Sequence, residues 1–351
     1  MFAKKNVVAA AALTLLAVAA QAQVTVYGTA DVSVGRKQVL TKDVNGDFVA
    51  PVNGKLVKTS STNVDSSDMS QSFVGIKGQE DLGNGLKAVF KLEAALEVDT
   101  GTATGGSTNF FGQNATVGLA GDFGAVNLGR FENLFKLQSA AFNPFGASKT
   151  FSPSVRALGV DQSSWSNGVS YVSPNLSGLT LSAQYSAKEA AVATATNYSG
   201  GAYDLAANYT AGPLGLSAVY GEVKSTNGVT APAEKARPWL LGASYDFSIV
   251  KLYAQYGETK YTTKATDATV KAKGFQAGVG IPVTANGAVL VSYGEGKVSG
   301  TDEKTRDASL GYTHNLSKRT NVYAAYNNER TRVTGASGTT NSFAVGVRHS
   351  F

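Results

Sequence analysis

Five charged side chains, Lys77, Lys87, Lys91, Glu93 and Glu97, share one parity in two neighbouring stretches whose other parity carries Val74, Ile76, Leu86, Phe90 and Leu92. Successive side chains of an extended strand point to opposite faces, so this spacing puts the charges on one face and the apolar residues on the other. A charged wet wall does electrostatics: it concentrates ions of one sign beside it, and Lys77 and Lys91 are the strongest candidates for that task. A second charged group, Glu132, Lys136, Lys149, Arg156 and Asp161, falls within residues 131–164, a connection of 34 residues. That length exceeds ordinary loops and marks the segment for a function of its own. Its three bases against two acids imply a weak field.

Bond-making chemistry is poorly supplied. The chain has no Cys, and its two His are His314, beside a short turn, and His349, two residues from the end. Disulfides and thiolate metal centres are excluded, and a His-based triad or metal site has little to draw on. No metal and no cofactor are expected.

The elements that must hold these residues are strands. The chain has 351 residues, 39 of them Gly and only 16% charged, with 15 Tyr and 16 Phe. Such a composition suits many short strands and turns and is too apolar for a disordered protein. Alternating segments occur at 23–36, 70–81, 85–98, 110–121, 124–131, 165–174, 178–187 and 199–211, and again at 213–224, 236–248, 250–261, 272–282, 285–297, 305–317, 319–331 and 341–351. They number sixteen, and tight turns such as Asp81-Leu82-Gly83-Asn84-Gly85 alternate with long polar loops. After residue 22 no run of 18 apolar residues occurs, so helices cannot carry the chain across a bilayer. A secreted β-sandwich would also show one apolar parity. Three features favour a barrel instead: the segments are long, their even number suits closure without an edge, and the second parity is polar throughout. The expected fold is all-β, a 16-stranded antiparallel transmembrane β-barrel over residues 23–351.

Residues 1–22 read as a leader. Lys4 and Lys5 precede an apolar run from Val7 to Ala20 and then Ala20-Gln21-Ala22, the pattern of a secretory signal peptide cleaved after Ala22. Its loss lowers the formal charge from +6 to +4. The remaining bases are scattered singly, which argues against nucleic acid as a partner.

From end to end the mature chain resembles the Gram-negative general porin family, in its beta-proteobacterial and neisserial-type branch. The resemblance is carried by Val24-Thr25-Val26-Tyr27-Gly28 with Asp31, and by the hairpin from Ser72-Phe73-Val74-Gly75-Ile76-Lys77-Gly78 through Asp81-Leu82-Gly83-Asn84-Gly85 to Phe90 and Glu93. Val117-Gly118-Leu119-Ala120-Gly121-Asp122-Phe123-Gly124 through Leu128-Gly129-Arg130, then Ser173-Pro174, and the ending Val347-Arg348-His349-Ser350-Phe351 complete it. It implies a homotrimer in the outer membrane of a Gram-negative bacterium, with short periplasmic turns, long extracellular loops and a third loop, here 131–164, folded inward as a constriction. The implied partners are outer-membrane lipid and lipopolysaccharide, small hydrophilic solutes and ions, and the barrel-insertion machinery, for which Phe351 resembles the terminal aromatic signal. Arg130 shares parity with Val126 and Leu128, so it is expected to point outward at the loop end as a subunit contact or loop anchor. The chain departs from the family pattern at Phe73 and Gln113, where constriction arginines are usual. The resemblance therefore implies a general diffusion channel with at most a weak anion preference, not an enzyme. A barrel hydrolase, a substrate-specific channel and a plugged adhesive barrel are the competing readings, and conductance discriminates among them.

Overall fold

The computed structural model describes residues 23–42, 57–104, 109–159, 164–188, 201–224, 235–263, 268–333 and 336–351. The leader, residues 1–22, and Asp161 lie outside the described residues. The strands of the first half are β1 (Gln23–Lys42), β2 (Val57–Ser66), β3 (Phe73–Gly83), β4 (Leu86–Glu97), β5 (Thr102–Ala103), β6 (Asn114–Gly121), β7 (Gly124–Glu132), β8 (Ser164–Val172) and β9 (Leu179–Ser186). Those of the second are β10 (Ala202–Ala211), β11 (Leu214–Lys224), β12 (Lys235–Asp246), β13 (Lys251–Thr263), β14 (Ala268–Pro282), β15 (Gly287–Val298), β16 (Lys304–Asn315), β17 (Thr320–Val333) and β18 (Ala336–Ser350). Two short helices, α1 (Leu134–Ala141) and α2 (Pro153–Ala157), lie between β7 and β8.

Sixteen of these strands, all but β2 and β5, form one antiparallel ring. Each pairs with its neighbour in sequence, and β1 closes on β18 from Thr29 opposite Ser350 upward. Gly28 and Phe351 exchange backbone bonds at 3.2 and 3.1 Å, sealing the seam to the last residue. Closure leaves no sheet edge, the condition for a β-protein to sit in hydrocarbon.

The two faces differ as the alternation requires. Val26, Val117 and Leu310 are more than half exposed, and Leu205, Tyr256, Phe275, Tyr293 and Tyr326 are exposed on the same outward parity. The opposite parity supplies buried polar groups such as Gln255, Gln276, Ser292, Ser309 and Asn327. An exterior of this kind is stable against lipid and not against water.

Some strands run farther than their apolar pattern. The stretch 37–69 is expected as a loop, yet β1 continues to Lys42 and β2 pairs with it from Val32 opposite Ser66 to Leu40 opposite Lys58. β3 accompanies β1 only as far as Thr29 opposite Phe73, and β2 takes over the backbone groups that β3 leaves unpaired. Likewise β14 begins at Ala268 and β18 at Ala336, before the alternation is legible. Outward residues there are Thr269, Lys271 and Thr339, so the ladder persists above the apolar belt that reveals it.

Candidate pore and constriction site

The segment 133–159 is laid against the inward face of the barrel, and each of its parts has a local cause. Asn133 caps α1 by accepting from the Lys136 amide at 2.7 Å, and the buried Asp204 carboxylate of β10 accepts from the Leu134 amide at 3.2 Å. Leu134 and Phe135 then pack with Leu158 against Ala206, Val219 and Leu240. These wall residues point inward, so the inner face is apolar where the helix rests, rather than polar along its whole length as the alternation suggested.

The turn Asn143-Pro144-Phe145-Gly146 seats the loop. Asn143 Oδ1 accepts from the Phe145 amide at 2.9 Å, its Nδ2 donates to Ser152 and Ser154 at 2.7 and 3.0 Å, and Gly146 takes the left-handed conformation at φ +56°. Phe145 is thereby pressed among Met69, Phe151, Tyr323, Ala325 and Ala344. Gln255 Nε2 donates to the carbonyls of Ser139 and Phe142 at 2.9 and 2.8 Å. Asp68, before β3, accepts from Thr150 Oγ1 and Ser33 Oγ at 2.5 and 2.6 Å.

Arg156 is the strongest tie. Its Nη1 meets Asp307 at 2.7 Å and its Nε meets Glu329 at 2.9 Å, while Nη2 donates to the Lys149 and Thr150 carbonyls at 2.9 and 3.1 Å. Asp307 is fully buried and also receives Asn327 Nδ2. Lys136 is likewise consumed, by Glu132 at 2.6 Å. Of the loop's bases, only Lys149 is exposed and makes no ion pair among the described residues. Two of the loop's three bases, Lys136 and Arg156, are thus taken up by ion pairs.

Opposite α1, an open cavity of about 720 Å³ is bordered by Gln23, Thr25, Lys77, Lys91, Asn114 and Glu132. Glu93 is buried at its edge and holds three donors: Tyr27 OH at 2.6 Å, Lys91 Nζ at 3.1 Å and Asn114 Nδ2. Lys91 is therefore compensated. Lys77 has no carboxylate partner among the described residues; its ammonium sits 4.5 Å from the centre of the Tyr27 ring. Phe73 stands edge-on to the same ring, with centroids 5.7 Å apart.

The other expected residues occupy different heights. Lys87 is exposed beside the β3–β4 turn, opposite Asp81. Glu97 sits above the β4–β6 ladder, where it accepts from Thr104 at 2.9 Å, outside the cavity. Arg130 donates to the Gly112 carbonyl and to Ser166 Oγ, both at 2.6 Å, so it ties β7 to the segment before β6 and to β8. An irregularity opposite it turns Trp165 inward onto Phe131. Gln113 donates its amide to the Glu93 carbonyl at 3.2 Å and accepts from Ser164 at 3.0 Å. Sequence reasoning missed Tyr27, Asn114, Asp68, Asp307 and Glu329. Asp307 was within reach, since it alternates with the outward Ala308 and Leu310.

A closed antiparallel ring with an apolar outside, a polar inside and a loop laid against its inner wall defines a membrane channel built from strands. The chain belongs to the Gram-negative porin family, whose model matches residues 9–334. Over 406 aligned residues it is 29% identical to an outer membrane porin protein of Bordetella pertussis, covering 99% of this chain and 100% of that one. It is 30% identical over 334 residues to outer membrane porin protein 32 of Delftia acidovorans, covering 91% and 88%. Among solved structures, the anion-selective porin from Comamonas acidovorans superposes with a TM-score of 0.77 at 26% identity, covering 94% of this chain and all of that one. The trimer form of OmpT from Vibrio cholerae shares the fold, with a TM-score of 0.68 at 15% identity over 94% of this chain and 99% of that one. The protein is an outer-membrane porin of a Gram-negative bacterium, and its family points to a channel rather than an enzyme.

Proposed function

We propose that this porin passes small hydrophilic solutes and ions passively, with a weak anion preference, through a pore narrowed by residues 133–159. The observation that carries the reading is the charge balance beside the loop: Glu93 is matched by Lys91 and Glu132 by Lys136, leaving the Lys77 ammonium uncompensated at the cavity. One surplus positive charge raises the local concentration of anions without excluding cations. The anion selectivity of the Comamonas acidovorans relative is consistent with that sign. A homotrimer is the proposed assembly, supported by the trimer form of a barrel of the same fold. Removal of residues 1–22 as a signal peptide is proposed on their pattern of Lys4 and Lys5, the apolar run Val7 to Ala20, and Ala20-Gln21-Ala22. The bonds of Arg130 to Gly112 and Ser166 support a loop-anchoring role, and the aromatic end of the chain supports Phe351 as the insertion signal.

The test is the reversal potential of the refolded protein in a planar bilayer under a KCl gradient. A small shift toward the chloride equilibrium potential is expected, and the variant Lys77→Gln should move it toward zero with conductance retained. A shift toward the potassium potential in the unaltered protein would refute the assignment of Lys77, and a folded barrel without conductance would refute the channel.

A further inference from the structure

The cavity beside α1 has two unlike sides. On the first, the ladder sets Thr25 opposite Lys77, Lys77 opposite Lys91 and Lys91 opposite Thr116, so both ammoniums stand in one row of the inward face. Residues directly opposite one another have Cβ atoms roughly 5 Å apart, which lets the two long side chains close on a single anion between them. Two residues nearer the β3–β4 turn, Gln23, Gln79 and Val89 form the next row, which adds amides but no acid. Glu132, the acid of the lining, is matched by Lys136 at 2.6 Å.

The second side is uncharged. β6, β8 and β9 carry no charged residue at all, and β6 and β7 contribute Ala120, Ala125 and Phe131 to the lining. α1 adds Leu137. The other large apolar side chains of that helix, Leu134 and Phe135, are buried against the wall, whereas Leu137 is 41% exposed and borders the cavity. Apolar walls with a few placed polar groups, around a volume of roughly 300–1,000 Å³, are the ordinary lining of a small-molecule site, and this cavity holds about 720 Å³.

Charge fixes the polar end of what fits. Lys77 has no carboxylate partner among the described residues, and Lys91 shares Glu93 with Tyr27 and Asn114, so the lysine row keeps a net positive charge. A bare halide would satisfy the ammoniums and leave Leu137 wet. An anion with an apolar body satisfies both.

We infer that the cavity binds carboxylates with an apolar body, the class of benzoate, with the carboxylate between Lys77 and Lys91 and the ring turned toward Leu137. The inference rests on the proposed conduction and names the class of solute that the cavity holds.

The measurement is the reduction of single-channel KCl current by an added anion, with the refolded protein in a planar bilayer. Potassium benzoate should halve the current at about tenfold lower concentration than potassium acetate, the lower end of what one hydrophobic contact contributes. Cyclohexanecarboxylate should match benzoate, because apolar area is what the contact uses, and neutral benzamide should not reduce the current. Leu137→Ser should bring benzoate to the level of acetate, Leu137→Phe should keep the preference, and Lys77→Gln should weaken both anions together. Leu137 is already open to solvent, so neither change at this position unpacks Leu134 and Phe135. Equal potency of benzoate and acetate on the unaltered protein, an undiminished preference in Leu137→Ser, or a current reduced by benzamide overturns the inference. A reversal potential on the chloride side with benzoate no better than acetate sinks this inference and leaves the weak anion preference standing. A preference for benzoate without that reversal potential does the opposite, and a folded barrel that conducts nothing removes both.

Discussion

Glu93 shows how one buried carboxylate organises the wall of the pore. Three side chains from three strands converge on it, and the Tyr27 ring reaches it only by crossing Gly75, where a Cβ would stand 2.8 Å from the ring and 3.1 Å from Glu93 Cγ. Gly75→Ala should therefore displace Tyr27 and loosen the site. Tyr27→Phe removes a donor to a buried charge, and such a loss costs about 1.5–3 kcal/mol. A lowered urea midpoint for barrel unfolding in lipid vesicles would register it, and an unchanged midpoint would show that Asn114 and Lys91 satisfy Glu93 alone. Lys77 differs from Lys91 in having no acid beside it and the Tyr27 ring beneath it instead. Parity placed both lysines and Glu93 on the wet face, but parity carries no information about which charges cancel, because the ion pairs depend on distances within and across strands.

At the scale of the element, the segment 133–159 is held by contacts that no local pattern announces. Arg156 reads from its neighbours as a mobile loop base, yet its carboxylate partner Asp307 lies 151 residues away on β16. Removing one member of a buried pair leaves the other uncompensated, at a cost of about 3–5 kcal/mol. Arg156→Ala should accordingly lower the unfolding midpoint and free α2 from β14–β16, giving larger and noisier single-channel currents. Arg156→Lys should rescue in part, since one ammonium cannot serve the two acids and two carbonyls that the guanidinium fork engages. Quiet currents of ordinary size from the alanine variant would mean that Phe145 and the Gln255 bonds hold the loop without it. Strands were read more faithfully than loops. Each of the sixteen ring strands corresponds to one alternating segment, and the misjudged boundaries, as at β1, β14 and β18, fall where outward residues become polar and the ladder continues unmarked.

The whole molecule is a closed ring, and its seam joins the first strand to the last residue. Phe351 completes the ladder with Gly28, and its ring lies where a side chain at position 28 would have to go, 2.6 Å from a Cβ built there. Deletion of Phe351 should reduce the fraction of protein that reaches the outer membrane as a heat-modifiable folded barrel, with Phe351→Tyr close to the unaltered protein. If the deletion lowers assembly in cells but not refolding into detergent, the residue acts on the insertion machinery. If both fall together, it acts through closure.

Period-two alternation, the number of segments and the regular change between tight turns and long loops determined by themselves that this chain is a membrane barrel, because only a closed sheet can present apolar residues to lipid and polar ones to water along every strand. The end-to-end resemblance then placed it in its family. Tertiary structure alone decided which charges remain free. Heights around a tilted ring separate Lys87 and Glu97 from the cavity although they share parity with Lys77, and Arg156 is neutralised by Asp307 and Glu329 far along the chain, whereas Lys136 and Lys91 pair with Glu132 and Glu93 close by in sequence. Electrostatics falls off with distance in space, and only the folded ring converts position along the chain into that distance.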